Sequence, residues 1–239
     1  MVQAGQGGQG GQGENDGRVL AEVFEHSGTG HAARLPELMA TALAQAKIEL
    51  AGVDALAVSI GPGSFTGLRV GLSFAKGVAF ASGVRLVGVG TLEALATAAP
   101  PRFSLVAVVT DARRGETYSA VFRRTAGGVE RLVADAALTP PEAAQRIVGE
   151  LGGASSCVLV GDGAERYGEA FARLRDRAVE IIPFREIHPR GSIVASLGER
   201  RLRRGDSDRP EQLVPLYVRA SAAERNLGVG ALTTENTVS

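Results

Sequence analysis

The residues with the most chemical potential lie in one short run, Gly61-Pro-Gly-Ser-Phe-Thr-Gly67. Glycines between a buried strand and a helix permit positive φ and let the N–H groups of the turn face outward, an arrangement able to cradle phosphate. The run is neither the P-loop GxxxxGK[ST] nor the dinucleotide GxGxxG. On spacing alone it therefore reads first as a tight connection and second as a phosphate loop. Ser64 lies outside a GxSxG elbow, and spacing assigns it no base and no orienting acid, which leaves a serine hydrolase without support.

A second group, Asp111-Ala-Arg-Arg-Gly-Glu-Thr-Tyr118, collects two acids, two arginines and a phenol. A charged site is one reading; the solvated turn of a hairpin is the preferred one. His26, His31 and His188 are scattered, with no HExxH and no CxxC, so metal catalysis has no support and no metal is expected. The single cysteine, Cys157, sits in the apolar run Cys157-Val-Leu-Val160, which rules out an internal disulfide and reads as a core position in a reducing compartment.

The elements that must position these residues follow from periodicity. In His31 to Leu50 the apolar residues Leu35, Leu38, Met39, Ala42, Leu43 and Ala46 form one stripe of a helix. Ala55 to Ile60 reads as a buried strand and Ser64 onward as a helix that Ser64 is placed to cap. Gly67, Gly71 and Gly77 lie in that helix at a cost of about 0.8–1 kcal/mol each relative to alanine. Gly67, Gly71 and Ala75 permit another helix to approach closely, inside the subunit or across an interface.

Arg18 to Phe24, Arg85 to Val89, Ser104 to Thr110, Thr117 to Phe122, Val129 to Val133, Cys157 to Gly161, Val179 to Pro183 and Pro215 to Arg219 read as strands. Helices are expected over Thr91 to Ala99, from the capping box Thr139-Pro-Pro-Glu142 to about Leu151, over Ala164 to Arg175 and over Ser192 to Arg204. Arg200, Arg201, Arg203 and Arg204 crowd the last of these, and a solvated helix end, favoured by the helix dipole, outweighs an RNA contact.

Lys+Arg and Asp+Glu are equal at 26 each, so no overall field draws the chain to nucleic acid or anionic membranes. Aromatics make up 5% with no Trp, which leaves little for stacking on single-stranded nucleic acid. No run is long and apolar enough to span a membrane, and a soluble, cytoplasmic protein is expected. Residues 1–13, with the Gly-Gln-Gly repeat Gly5 to Gly13, are expected to be disordered; 14–101 and 102–225 are read as two α/β subdomains, and 226–239 as a loose tail.

Taken together, Ser59-Ile-Gly-Pro-Gly-Ser-Phe-Thr-Gly-Leu-Arg-Val-Gly71, Lys76-Gly77, Val87-Gly-Val-Gly-Thr-Leu92 and Asp111 to Tyr118 resemble the TsaB (YeaZ) family. The likeness runs less tightly from about Arg18 to Arg219, with Gly161-Asp-Gly163 and Pro215-Leu-Tyr-Val-Arg219 included.

The resemblance implies an actin/sugar-kinase/heat-shock-protein-like α/β fold with two related subdomains. It implies a noncatalytic subunit in the synthesis of threonylcarbamoyladenosine in tRNA, paired with the transferase TsaD and joined by TsaE, touching tRNA only through the complex. A homodimer is the alternative pairing. Interface helices would be His31 to Leu50 and Phe65 to Ser82, with Leu35, Leu38, Met39, Ala42, Gly67, Arg69, Gly71 and Ala75 facing the partner. Gly61, Gly63, Ser64, Thr66, Asp111, Gly161 and Gly163 would lie near a nucleotide, with no cofactor required by the chain itself and ATP expected at the complex interface.

Where the family has a first strand with an Asp-Thr-Ser motif, this sequence has Gly5 to Gly13, so the first subdomain is expected to lack its first strands; a displaced start, a frameshift or a truncation is expected. The rival class is an active kinase-like or acyltransferase member of the same fold, and a peptidase is a third.

Overall fold

The computed structural model describes residues 17–25, 31–152, 156–175 and 179–218. Residues 1–13 and 226–239, expected as disorder and tail, lie outside them, as do His26 and Arg219. In chain order the elements are α1 (His31–Ala46), a 3-10 turn (Leu50–Gly52), β1 (Ala55–Gly61), α2 (Phe65–Ser82), β2 (Arg85–Gly90), α3 (Thr91–Ala98), β3 (Leu105–Arg113), β4 (Glu116–Thr125), β5 (Gly128–Leu138), α4 (Pro140–Leu151), β6 (Cys157–Val160), α5 (Asp162–Arg166), α6 (Gly168–Arg175), β7 (Val179–Ile181) and α7 (Gly191–Arg203).

They fall into two compact units. One takes the residues through Ile60, Thr66–Ala94 and Pro189–Pro215; the other takes Gly61–Phe65, Leu95–His188 and the residues from Leu216. A boundary at Pro100-Pro101 divides the chain consecutively, whereas these units are interleaved, because residues 189–215 return to the first.

In the first unit β1 and β2 form a two-stranded sheet. Successive side chains of a strand point to opposite faces, and β1 uses both. Leu56, Val58 and Ile60 pack with Leu72, Ala75 and Ala79 of α2, while Ala57 packs with Val194 and Leu197 of α7. A Cβ on Gly198 would lie 2.6 Å from the Cβ of Ala57, so only glycine allows α7 so close. α1 carries the whole apolar stripe but stops at Ala46, before the expected end at Leu50. Lys47 adopts a left-handed φ of 58°, with its N–H on Ala44 O and that of Ile48 on Leu43 O, the paired bonds of a Schellman stop.

The second unit carries a five-stranded sheet of order β5-β4-β3-β6-β7, antiparallel from β5 to β3 and parallel from β3 to β7. The expected meander is present with longer strands, since β3 and β4 run on until Arg113, Arg114 and Gly115, at φ of 64°, 57° and 78°, turn the chain. Phe171, Ile147, Leu159 and Val109 anchor its core. Glu142 accepts from Thr139 Oγ1 at 2.7 Å and Thr139 N at 2.9 Å, which holds its carboxyl below the ordinary range and starts α4 where the capping box places it.

Three expected elements differ. Residues 17–25 hold one bridge residue, Ala21, instead of a strand, and 215–218 hold no strand. The helix expected over Ala164 to Arg175 is broken at Tyr167, whose ψ of 36° departs from helical geometry and separates α5 from α6.

Candidate functional site

At the end of β1, Gly61 is buried at φ 121°, a conformation side chains resist, and its bond to Pro62 is cis. Gly63 has open space around it, and Ser64 and Thr66 are exposed. On α2, Gly67, Arg69, Ser73, Gly77 and Phe80 are exposed, the last at 66%. Added Cβ atoms at Gly71 and Gly77 would meet nothing within 4 Å, so no close approach among the described residues accounts for either glycine.

On α1, Leu35, Leu38 and Met39 are half-buried. Two residues assigned to a partner face turn inward instead: Ala42 is 1% exposed beside Val53, and Ala75 is 6% exposed in the core with Leu86. The stripe that suggested a partner is, at those two positions, the chain's own packing surface.

Asp111 is brought together with Gly161 and Gly163. Its side chain is only 5% exposed, which corrects its reading as part of a solvated turn. Oδ1 accepts from Arg113 N at 2.9 Å and from the Tyr167 hydroxyl at 3.0 Å, and Oδ2 lies 3.5 Å from both Arg113 Nη1 and Arg166 Nε. The Asp111 N–H donates to Asp162 Oδ1 at 3.0 Å. Tyr167, and after it Asp111, raise the Arg166 pKa.

Oδ1 of Asp111 is thus hydrogen-bonded within the chain while Oδ2 faces two exposed arginines, and the described residues include no group of three metal donors. The two glycines serve packing: a Cβ on Gly161, at φ 111°, would lie 2.1 Å from Val109 O, and one on Gly163 would lie 2.9 Å from the carbonyl carbon of Thr110. The cluster ties the end of β3 to α5. Sequence reasoning missed Asp162, Arg166 and Tyr167, although Asp162 stands between the two glycines it singled out.

The family described as "TsaD: tRNA N6-adenosine threonylcarbamoyltransferase" matches residues 19–227. The chain belongs to this family, as a TsaB (YeaZ) member. It is 29% identical over 219 residues to the tRNA threonylcarbamoyladenosine biosynthesis protein TsaB of Escherichia coli K12, covering 89% of this chain and 90% of that protein. A tRNA N6-adenosine threonylcarbamoyltransferase of Rhizobium etli is 41% identical over 85 residues, 31% of this chain and 23% of that enzyme. A crystal structure from Pseudomonas aeruginosa, described as an uncharacterized protein with similarity to peptidase YEAZ, superposes with a TM-score of 0.70 at 30% identity, over 79% of this chain and 84% of that one. The actin-like α/β fold follows from these matches.

In this TsaB-family chain one arginine of the α7 end is not a solvated cation. Arg201, with a side chain 28% exposed, gives Nε and Nη2 to Asp206 at 2.7 and 2.9 Å and Nη1 and Nη2 to Asp208 at 2.9 and 3.2 Å, with Nη1 also reaching Gly88 O at 2.7 Å. Arg203 pairs one turn back with Glu199 at 2.7 Å, as an exposed helix end does. The downstream signal was Asp206-Ser-Asp208. No described helix is long and apolar enough to cross a membrane.

Proposed function

We propose that this chain serves tRNA threonylcarbamoyladenosine biosynthesis as a noncatalytic subunit that pairs with the TsaD transferase. The observation that carries the reading is the match along 90% of the E. coli TsaB protein, against 23% of a transferase. The docking surface is Leu35, Leu38 and Met39 on α1 with Gly67, Arg69 and Gly71 on α2, and the open space beside Gly71 suits the close approach of a helix. TsaE joins the pair, ATP belongs at the complex interface, and a homodimer through the same helices competes with it.

The test is reconstitution. The purified chain is mixed with TsaD, TsaE and the enzyme that supplies threonylcarbamoyl-adenylate, and modified adenosine in tRNA is read by mass spectrometry. Modification should depend on the chain, and the chain alone should leave ATP and tRNA unchanged. Turnover of either by the chain alone would overturn the noncatalytic reading.

A further inference from the structure

Among the described residues strand β2 has a neighbouring strand, β1, on one side only, and its central residues, Leu86, Val87 and Val89, are 0–3% exposed. An uncovered edge of such an apolar strand is a template for pairing with another chain. Here three of the backbone groups that a neighbouring strand would use are already bonded. Leu86 O accepts from Asp208 N at 2.8 Å in an isolated antiparallel bridge. The Gly88 N–H donates to Asp208 Oδ2 at 2.7 Å, and Gly88 O accepts from Arg201 Nη1 at 2.7 Å. Residues 86 and 88 alternate along the strand and so present these groups to one edge.

At residues 86 and 88 one aspartate and one arginine therefore take the bonds a neighbouring strand would make, locked to each other by the bidentate contact of Arg201 with Asp208. Leu213 covers the face of β2 at the same point: a Cβ on Gly88 would lie 2.8 Å from Leu213 Cδ1 and 2.9 Å from Ile60 Cγ2, so this packing requires glycine.

We propose that Asp208 and Arg201 form a surrogate strand that keeps the free edge of β2 from pairing with the same edge of a second copy of this chain. The device places charge on an edge that would otherwise be apolar and open, and it acts before any partner binds.

The full chain carrying Arg201→Gln or Asp208→Asn tests this by amide exchange and by light scattering over a range of concentrations. Both are done in a Gly71→Arg background, which removes pairing through α2. Exchange at the Gly88 amide is expected to rise about tenfold or more, and the mass is expected to grow with concentration while the parent chain's mass does not. Faster exchange without association would make the pair a simple strut and overturn the proposal, as would unchanged exchange in a folded variant. Should these variants fail to fold, Arg201→Lys, which keeps the charge and loses the fork, is judged by the same two readouts.

Discussion

Tyr167 donates its hydroxyl to Asp111 Oδ1 at 3.0 Å, joining residues 56 positions apart and fixing the break between α5 and α6 over the end of β3. Because Asp111 is 5% exposed, losing that donor leaves a buried charge short of a partner. Tyr167→Phe is expected to cost about 1–3 kcal/mol, measured as a lower denaturant midpoint. Arg113→Ala, at a side chain 80% exposed, removes a screened pair and is expected to change stability by less than about 1 kcal/mol.

Two glycine-to-alanine changes should move in opposite directions. Gly161→Ala forces a Cβ to 2.1 Å from a carbonyl oxygen at φ 111°, and a loss of about 3 kcal/mol or more is expected in thermal unfolding. Gly71→Ala meets no described atom within 4 Å and gains about 0.8–1 kcal/mol of helix propensity in the isolated chain.

Pairing separates the roles of α1 and α2 from folding. Gly71→Arg and Leu38→Asp are expected to leave circular dichroism intact and to abolish co-purification with TsaD. Undiminished co-purification of both would remove the interface assignment.

Acid should loosen the strap after α7. Arg201 holds the Asp206 carboxyl below its usual range through its hydrogen bond. A carboxyl lowered in the folded state contributes stability above its unfolded pKa of about 3.9, lost as pH falls through the lower folded value. A melting series below about pH 4 should show this loss, and Arg201→Gln should flatten it.

Cys157 is 4% exposed, and burial pushes its thiol up to about 11. It is expected to resist thiol reagents at pH 8 in the native chain and to react on unfolding. Since the folded pKa is raised, its contribution to stability is full below the unfolded value of about 8.5 and declines as pH rises from there toward about 11. Cys157→Ser should remove that share of the alkaline loss.

Local signals were readable where one residue type settles a local geometry. Thr139 and Glu142 mark the start of α4 because each supplies a group the other needs, and the β1-turn-α2 unit follows from apolar residues bounded by glycine. What escaped depends on distance in sequence. Asp111 looked like a turn residue because Tyr167 and Arg166, which bury it, lie on another element. Arg201 looked like a helix-end cation because its partners come after the helix, at Asp206 and Asp208. The 18–24 run has strand composition, but composition alone cannot supply a neighbouring strand to pair with.

The interleaving of the units sets an order of events at the ribosome. β1 and α2 are made early, yet α7, which covers the Ala57 face of β1, is made only after the whole of Leu95–His188. At about 5–20 residues per second, that separation leaves the face bare for several seconds or more of synthesis. The second unit can finish its sheet while the first waits, so the nascent chain passes through an interval in which its oldest strand is its stickiest surface and most in need of a chaperone.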